Sequence, residues 1–429
     1  MAKGRKEAPT MSELDSAMAD IVHKLCGDNG SGLGDSDFVD RTLVIPLPAL
    51  VLEWYLGVDG WPLSRSVSVA AEYHVGKTAF LTDIVRWHRL MTGRGIVACT
   101  EGDKDSPTLR QSILNYDLNA MAYDNFGSVE DWQKHLTNAS KKVMALFKSK
   151  PELTSPVCFG TDSVVGALCR NKIKGIWEDG HASADFATEA KLYGDWLRTF
   201  TNMALAGNPF TFVGTSHIYE VASKKAGLPA KIVVSGGIKQ LYAAAISILM
   251  KHVKKIDYVN LKGQIVNFSL LKNTLAGTRH YNRFDCGLYW TKGEDGVQHT
   301  WWDWDEATIW LLSDREMFPA KGANGENVVA ACNIRAVSGG LYFCKELGVS
   351  EDDAMSASEL GRVLNTKPEV LENLRTALKI QRHNKFIPGI EYKPVALAVP
   401  VEDDEIVDEA GEVHKKKRKA KTEEEVASA

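Results

Sequence analysis

Residues Ser66 to Asp105 constrain this chain more tightly than any other stretch. They run SVSVAAEYHVGKTAFLTDIVRWHRLMTGRGIVACTEGDKD. A β-branched run is followed by a Gly-Lys-Thr turn, by apolar residues at helical spacing (Phe80, Leu81, Ile84, Val85, His88), and by a second apolar run closing on Glu101. Parallel strands need a crossover connection, so the pattern predicts one strand-helix-strand unit. In Ala71-x-x-x-x-Gly76-Lys77-Thr78 the turn falls between strand and helix, where backbone N–H groups and the helix N-terminus favour an anion. Residues Ala71, Glu72, Tyr73, His74, Val75, Gly76, Lys77, Thr78 and Ala79 are therefore the candidate triphosphate cradle. Lys77 would supply charge to the β and γ phosphates, and Thr78 would hold Mg²⁺ through its hydroxyl. Ala71 stands where such turns usually carry Gly, and its methyl group is strained only if φ is positive there.

The chain has 429 residues, 44% hydrophobic and 25% charged, which is enough for two domains with a sizeable core. No apolar run reaches the length of a membrane span and no signal peptide opens the sequence, so the expectation is a cytosolic protein without a membrane partner. Seven cysteines are scattered without a CxxC pair, which argues for buried thiols over a zinc site or a disulfide framework. A formal charge of -4 leaves any nucleic-acid contact to local basic segments.

Before the phosphate turn, Thr42 to Arg65 reads as an apolar helix entering a Gly-x-x-Gly-x-Pro turn. Gly57, Gly60, Pro62 and Arg65, followed by a strand and Gly-Lys-Thr, resemble the leading segment of the RecA family of bacterial and phage recombinases. The resemblance covers about residues 10 to 312. It implies an α/β fold: a RecA-like P-loop ATPase core, a mostly parallel twisted sheet between helices, with an N-terminal helix and a small C-terminal helical domain.

The family resemblance also implies roles. Glu101 matches the strand-end glutamate that polarises the attacking water, and Asp105 an acid near the adenine, whose stacking aromatic falls near Thr108. Pro156 to Val165 reads as a buried strand ending in Asp162 and Ser163, and Asp162 would help hold Mg²⁺. His217, in the polar end of the strand from Asn208, falls where the family carries a γ-phosphate sensor. Arg170 to Ala184 matches the first DNA-binding loop, with Lys172 and Lys174 for phosphates and Trp177 for base stacking. Tyr219 to Gly237 matches the second, with Lys224, Lys225 and Lys231 for charge and Gly236 and Gly237 for close backbone approach. Lys272, in Lys-Asn-Thr, resembles an element that reaches a neighbour's ATP across the subunit interface, with Arg279 or Arg283 nearby.

Four segments follow. Residues 1–40 hold an amphipathic helix and a glycine-rich connector, read as an oligomerisation arm. Residues 41–312 form the ATPase core, with Tyr116 to Lys150 as an outer helical layer and the tryptophans between Tyr289 and Trp310 closing a core. Residues 313–398 read as helices over Asn327–Leu347, Ser356–Leu364 and Pro368–Ile380. Residues 399–429, with acidic and KKKRK blocks, read as a charged tail without a core.

The implied activity is DNA-dependent ATP hydrolysis with ATP and Mg²⁺. A homo-oligomeric filament would form on single-stranded DNA and pair it with a double-stranded homologue, working with single-strand-binding and mediator proteins. Two alternatives stay open: a ring helicase or motor of the same fold, and a catalytically weak filament-forming accessory protein that binds single strands.

Overall fold

The computed structural model describes residues 44–45, 47, 49–58, 60–90, 93–99, 121–164, 166–179, 187–205, 209–221, 231–235, 243–257, 261–275, 283–293, 298–318, 326–386, 405–407 and 413–415. The chain divides into two compact units, residues 1–382 and 383–429.

The first unit opens with β1 (Val44–Ile45), α1 (Leu50–Leu56) and β2 (Trp61–Pro62), with β1 and β2 pairing antiparallel. Helix α1 ends where Gly57 turns left-handed at φ 70° and its N–H closes on the Glu53 carbonyl. Glycine adopts that conformation without a Cβ penalty, which is why the helix stops there.

The succeeding elements are β3 (Arg65–Ala71), α2 (Lys77–Leu90), β4 (Arg94–Cys99), β5 (Met121–Asn125), α3 (Val129–Ser149) and β6 (Val157–Asp162). Then come α4 (Arg170–Asp179), α5 (Ala187–Leu205), β7 (Phe210–Val221), β8 (Lys231–Val234), β9 (Ile246–Asp257) and β10 (Lys262–Asn273). Strands β11 (Arg283–Lys292) and β12 (Gln298–Asp303) lead into α6 (Trp304–Ser313).

These strands make one mixed sheet in the order β12-β11-β10-β9-β3-β7-β6-β4-β5, with β8 paired to β7. From β9 to β5 neighbours run parallel, and from β9 to β12 they run antiparallel. The protein is thus α/β with a largely parallel sheet.

Alternation along the strands separates two cores. On β6, Val157 and Phe159 join Trp132 of α3 and Trp196 and Phe200 of α5, whereas Cys158 between them joins the core on the opposite face with α2. Successive strand side chains point to opposite faces, so one short apolar run serves both layers. The α2-side core holds the tryptophan cluster: Phe80 of α2 meets Trp302 at 6.4 Å and Trp304 at 5.9 Å, and Phe268 meets Trp302 at 5.2 Å. These tryptophans close a core, as the sequence suggests.

The same apolar cluster continues into the C-terminal part of the unit, through Phe318, Val328, Ile334, Phe343, Leu360 and Leu374. That part contains α7 (Glu326–Ala331), the small antiparallel sheet β13 (Arg335–Val337), β14 (Leu341–Phe343) and β15 (Met355–Ser356), then α8 (Ala357–Asn365) and α9 (Pro368–Phe386). Helix α8 starts on the Ser356–Glu359 capping box. Arg375 of α9 lies 3.3 Å from Glu53 of α1, giving a largely buried acid its counter-charge.

The structure corrects three local expectations. Asn327 to Leu347 is not one helix, because Gly339 and Gly340 at φ 80° and 74° turn it into the β13–β14 hairpin. Tyr116 to Lys150 is not helical throughout, since β5 forms where the chain can add to β4. Arg170 to Asp179, expected as a loop, is helix α4. In the second unit two short strands, β16 (Glu405–Val407) and β17 (Val413–Lys415), pair antiparallel within the charged tail. The N-terminal arm, residues 1–40, lies outside the described residues.

Candidate nucleotide site

Strands β3 and β6 end alongside the middle of β7, which runs on to Val221. Strand β7 lies between β3 and β6, and all three run parallel. The turn after β3 therefore meets Asp162 at the end of β6 and His217 on β7. Crevices beyond the carboxyl ends of parallel strands are where open α/β sheets bind ligands.

Ala71 is fully buried and pairs in register with His217 on one side and Met250 on the other. Among the described non-glycine residues, positive φ occurs at Ser64 and His74, so Ala71 takes an ordinary strand conformation and its methyl group is unstrained. The left-handed positions of the turn are His74 at φ 60° and Gly76 at φ 96°. A Cβ on Gly76 would stand 2.5 Å from Leu288 Cδ2 and 2.9 Å from Trp302 Cζ2. Glycine is needed there for conformation and for space. Gln264 of β10 braces the turn by donating to the His74 carbonyl at 2.9 Å.

Helix α2 begins at Lys77, with the Phe80 N–H donating to the Gly76 carbonyl at 2.9 Å. The Lys77 side chain is buried, and its Nζ donates to the Glu72 carbonyl at 2.7 Å and contacts His217 Nδ1 at 3.2 Å. Tyr73, 69% exposed, stacks on His217 with ring centroids 4.1 Å apart. Lys77 Nζ also lies 5.8 Å from the Tyr73 ring centroid, within cation–π range.

Beside this group, Thr78 Oγ1 donates to Asp162 Oδ2 at 2.6 Å, and Thr215 Oγ1 donates to the other carboxylate oxygen at 2.7 Å. Asp162 is held from both sides while almost wholly buried. A hydroxyl and a carboxylate are hard oxygen donors of the kind that bind Mg²⁺ together with phosphate oxygens. The residues present fit such an ion and a triphosphate. Val75 and Ala79 are buried supports, while Glu72 is half-buried at the mouth of the turn.

The other predicted residues scatter. Lys272 lies on β10 opposite Ser247, which shares the β3 register with Ser68 through β9. That position is three residues, about 10 Å at ~3.3 Å per residue, short of the phosphate turn. Partial burial holds the Lys272 ammonium below the ordinary lysine range. Arg283 is exposed at the start of β11.

Lys172 is buried and paired with Glu189 of α5 at 3.0 Å, so it ties α4 to α5 where an open phosphate ligand was expected. Lys174 is exposed and lies 3.5 Å from Glu178, and Trp177 on the same helix is 83% exposed. Strand β8 begins at Lys231 and pairs with β7, so the expected second loop is entered and left on strands. Glu101, Asp105, Thr108, Lys224, Lys225, Gly236, Gly237 and Arg279 lie outside the described residues.

One basic surface has no counterpart among the sequence-based expectations. The register of β9 with β3 ends at the Met250–Ala71 pair, and β9 continues for seven further residues, Lys251–Asp257. His252, Val253, Lys254 and Lys255 are exposed there, on the same end of the sheet as the phosphate turn. The run KHVKK is visible in the sequence, but only the strand register places it beyond β3.

No protein-family model matches the chain, and no curated protein matches it. No helix among the described residues is long and apolar enough to cross a membrane.

Proposed function

We propose that this chain is an ATP-dependent DNA recombinase with a RecA-like P-loop core, assembling as filaments on single-stranded DNA and pairing it with a homologous duplex. The observation that carries this reading is the meeting of Lys77 and Thr78, at the start of α2, with Asp162 at the end of β6 and His217 on β7. Lys77 and the backbone N–H groups of the turn would hold the phosphates, and Thr78 with Asp162 would hold Mg²⁺. The ion, when bound, neutralises charge on the β and γ oxygens. Glu101 orients the attacking water and accepts its proton.

His217 touches Lys77 through Nδ1, and its carbonyl accepts from the Ser235 N–H at the end of β8 at 2.8 Å. A change at the phosphates therefore has a short route into the β7–β8 hairpin. The basic extension of β9 supports a phosphate-backbone contact, because closely spaced lysines neutralise a polyanion. Placement of Lys272 away from its own phosphate turn suits service to a neighbouring subunit, which would make hydrolysis depend on assembly.

The test measures DNA-stimulated ATP hydrolysis and joint-molecule formation in the wild-type protein, Lys77→Ala and Glu101→Gln. Lys77→Ala is expected to lose nucleotide binding and both activities, and Glu101→Gln to bind nucleotide and lose turnover. Unwinding without pairing would replace the proposal with a helicase. DNA binding with neither activity would replace it with an accessory protein.

A further inference from the structure

Far from the nucleotide site, two thiols meet in the small C-terminal sheet. Cys332 follows α7 and Cys344 follows β14, and both are buried. Their sulfurs are 3.0 Å apart. That is about 1 Å longer than the ~2.05 Å of a bonded pair, so closure needs only a small local shift. The Cys344 thiol also donates to Glu346 Oε2 at 3.1 Å, and the same carboxylate oxygen accepts from the Asn333 N–H at 3.3 Å. Glu346 itself is exposed, which gives a removed proton a path to water.

The intervening chain is built to be closed at its base. Arg335, Ala336 and Val337 pair with Phe343, Tyr342 and Leu341, and the two glycines at positive φ make the turn. Cys332 and Cys344 flank the open end of this hairpin. Cys158, Cys169 and Cys286 are also buried free thiols, and they lie on β6, before α4 and on β11.

We propose that Cys332 and Cys344 are a redox-active dithiol that a low-molecular-weight disulfide converts to an intramolecular disulfide, locking the β13–β14 hairpin. As the hairpin opens, the Cys344 thiol loses its proton to water, and the resulting thiolate attacks one sulfur of oxidised glutathione. One glutathione leaves as a thiolate and takes up a proton. Cys332 then loses its proton to water and attacks the Cys344 sulfur of the mixed disulfide, and the second glutathione leaves as a thiolate that takes up a proton. Two protein thiols are oxidised to one disulfide while one oxidised glutathione is reduced to two thiols.

Because both sulfurs are buried, attack requires local opening of the hairpin, whose strands are short and whose turn is exposed. The neighbouring Cys344 thiol and burial both push the Cys332 thiol up, so Cys332 rests protonated. Closure should accelerate as pH rises, since the thiolate is the attacking species.

The full chain, purified reduced, would be incubated natively with oxidised glutathione, alkylated, and mapped by mass spectrometry. The expected result is a Cys332–Cys344 crosslink, loss of two hydrogens from the intact mass, and slower amide exchange in β13 and β14. Cys332→Ser should leave glutathione trapped on Cys344. Full alkylation of both cysteines, a lasting glutathione adduct on the wild-type Cys344, or crosslinking to another cysteine would each overturn the proposal. Mapping of the wild-type chain decides the matter even if the variant does not fold, and nucleotide binding plays no part in it.

Discussion

The parallel half of the sheet, from β9 to β5, and the antiparallel half, from β9 to β12, bury different kinds of side chain. On the parallel side, polar groups sit buried around Asp162: Thr161, Asp162 and Ser163 at the end of β6, and Thr215 and Ser216 within β7. On the antiparallel side the buried face is aromatic and aliphatic, with Phe268, Leu288 and Trp302 packed on Phe80 of α2 or beneath Gly76. Buried polar groups cost free energy unless they are paired, and Asp162 is paired with both Thr78 and Thr215. The apolar half supplies the floor on which the turn after β3 rests. One half holds Asp162 and His217, and the other packs beneath Gly76.

The largest expected effect lies in that floor. Trp302→Ala removes an indole that touches Phe80, Phe268 and Trp304, and truncating a buried aromatic of this kind costs about 3–5 kcal/mol. Urea unfolding should show that loss, with nucleotide affinity falling as the turn loses its support. A loss of no more than about 0.5 kcal/mol, the range of a surface change, would mean that the antiparallel half is not the floor.

Next comes acid. His88, in the last turn of α2, is fully buried, and burial lowers its pKa from 6.5 to about 4. The unfolded chain then binds the extra proton first, so stability falls as pH drops from 6.5 towards about 4, by roughly 3 kcal/mol for a shift of that size. Glu306, in the first turn of α6, has the opposite sign. Burial raises its carboxyl from 4.5 to about 7, so the folded state holds the proton in that window and stability rises as pH falls through it. The two oppose each other between pH 6.5 and 4.5. Urea midpoints of His88→Leu across this range should increase on acidification, whereas the wild type stays nearly level. An unchanged profile would assign the acid response to other groups.

What the sequence made legible follows from the range of the forces involved. The strand, turn and helix around Gly76-Lys77-Thr78 are local, so spacing alone revealed them. Asp162 was legible because a short apolar run ending in Asp-Ser reads as a buried strand end. Its bonds to Thr78 and Thr215 join residues far apart in the chain and have no local signal. Neither has the stacking of Tyr73 on His217. Lys172 was misread for the same reason, because composition gave its charge but not Glu189 beside it. The antiparallel half and the overhang of β9 were illegible because strand order depends on pairing between distant segments.

A smaller effect tests the junction between the halves. Gly76→Ala places a methyl group against Leu288 and Trp302 at a positive φ. Strain and overpacking together should cost about 2 kcal/mol. Nucleotide affinity should drop with it, measured by titration with a fluorescent ATP analogue. Gly76→Ala combined with Leu288→Ala should recover part of the affinity, because one clash is then removed. No recovery would place the cost in the backbone angle alone.

The smallest effect on stability is expected where the two halves meet, on the overhang of β9. Lys251, Lys254 and Lys255 lie beyond the last pairing with β3, and Lys254 and Lys255 are exposed. Changing all three to Ala should alter unfolding free energy by no more than about 0.5 kcal/mol, as surface changes do. If this edge grips a phosphate backbone, affinity for single-stranded DNA should fall at low salt. The dependence of log affinity on log salt should flatten by roughly 0.7 for each phosphate of the single strand that is no longer neutralised. Nucleotide binding should be untouched, because none of the three contributes to the Lys77 and Asp162 cluster. An unchanged salt slope would reduce these lysines to a charged edge that keeps β9 from pairing with another chain, a common device on exposed strands. Any DNA contact would then fall elsewhere, with Lys174 and the exposed Trp177 on α4 as the remaining described candidates.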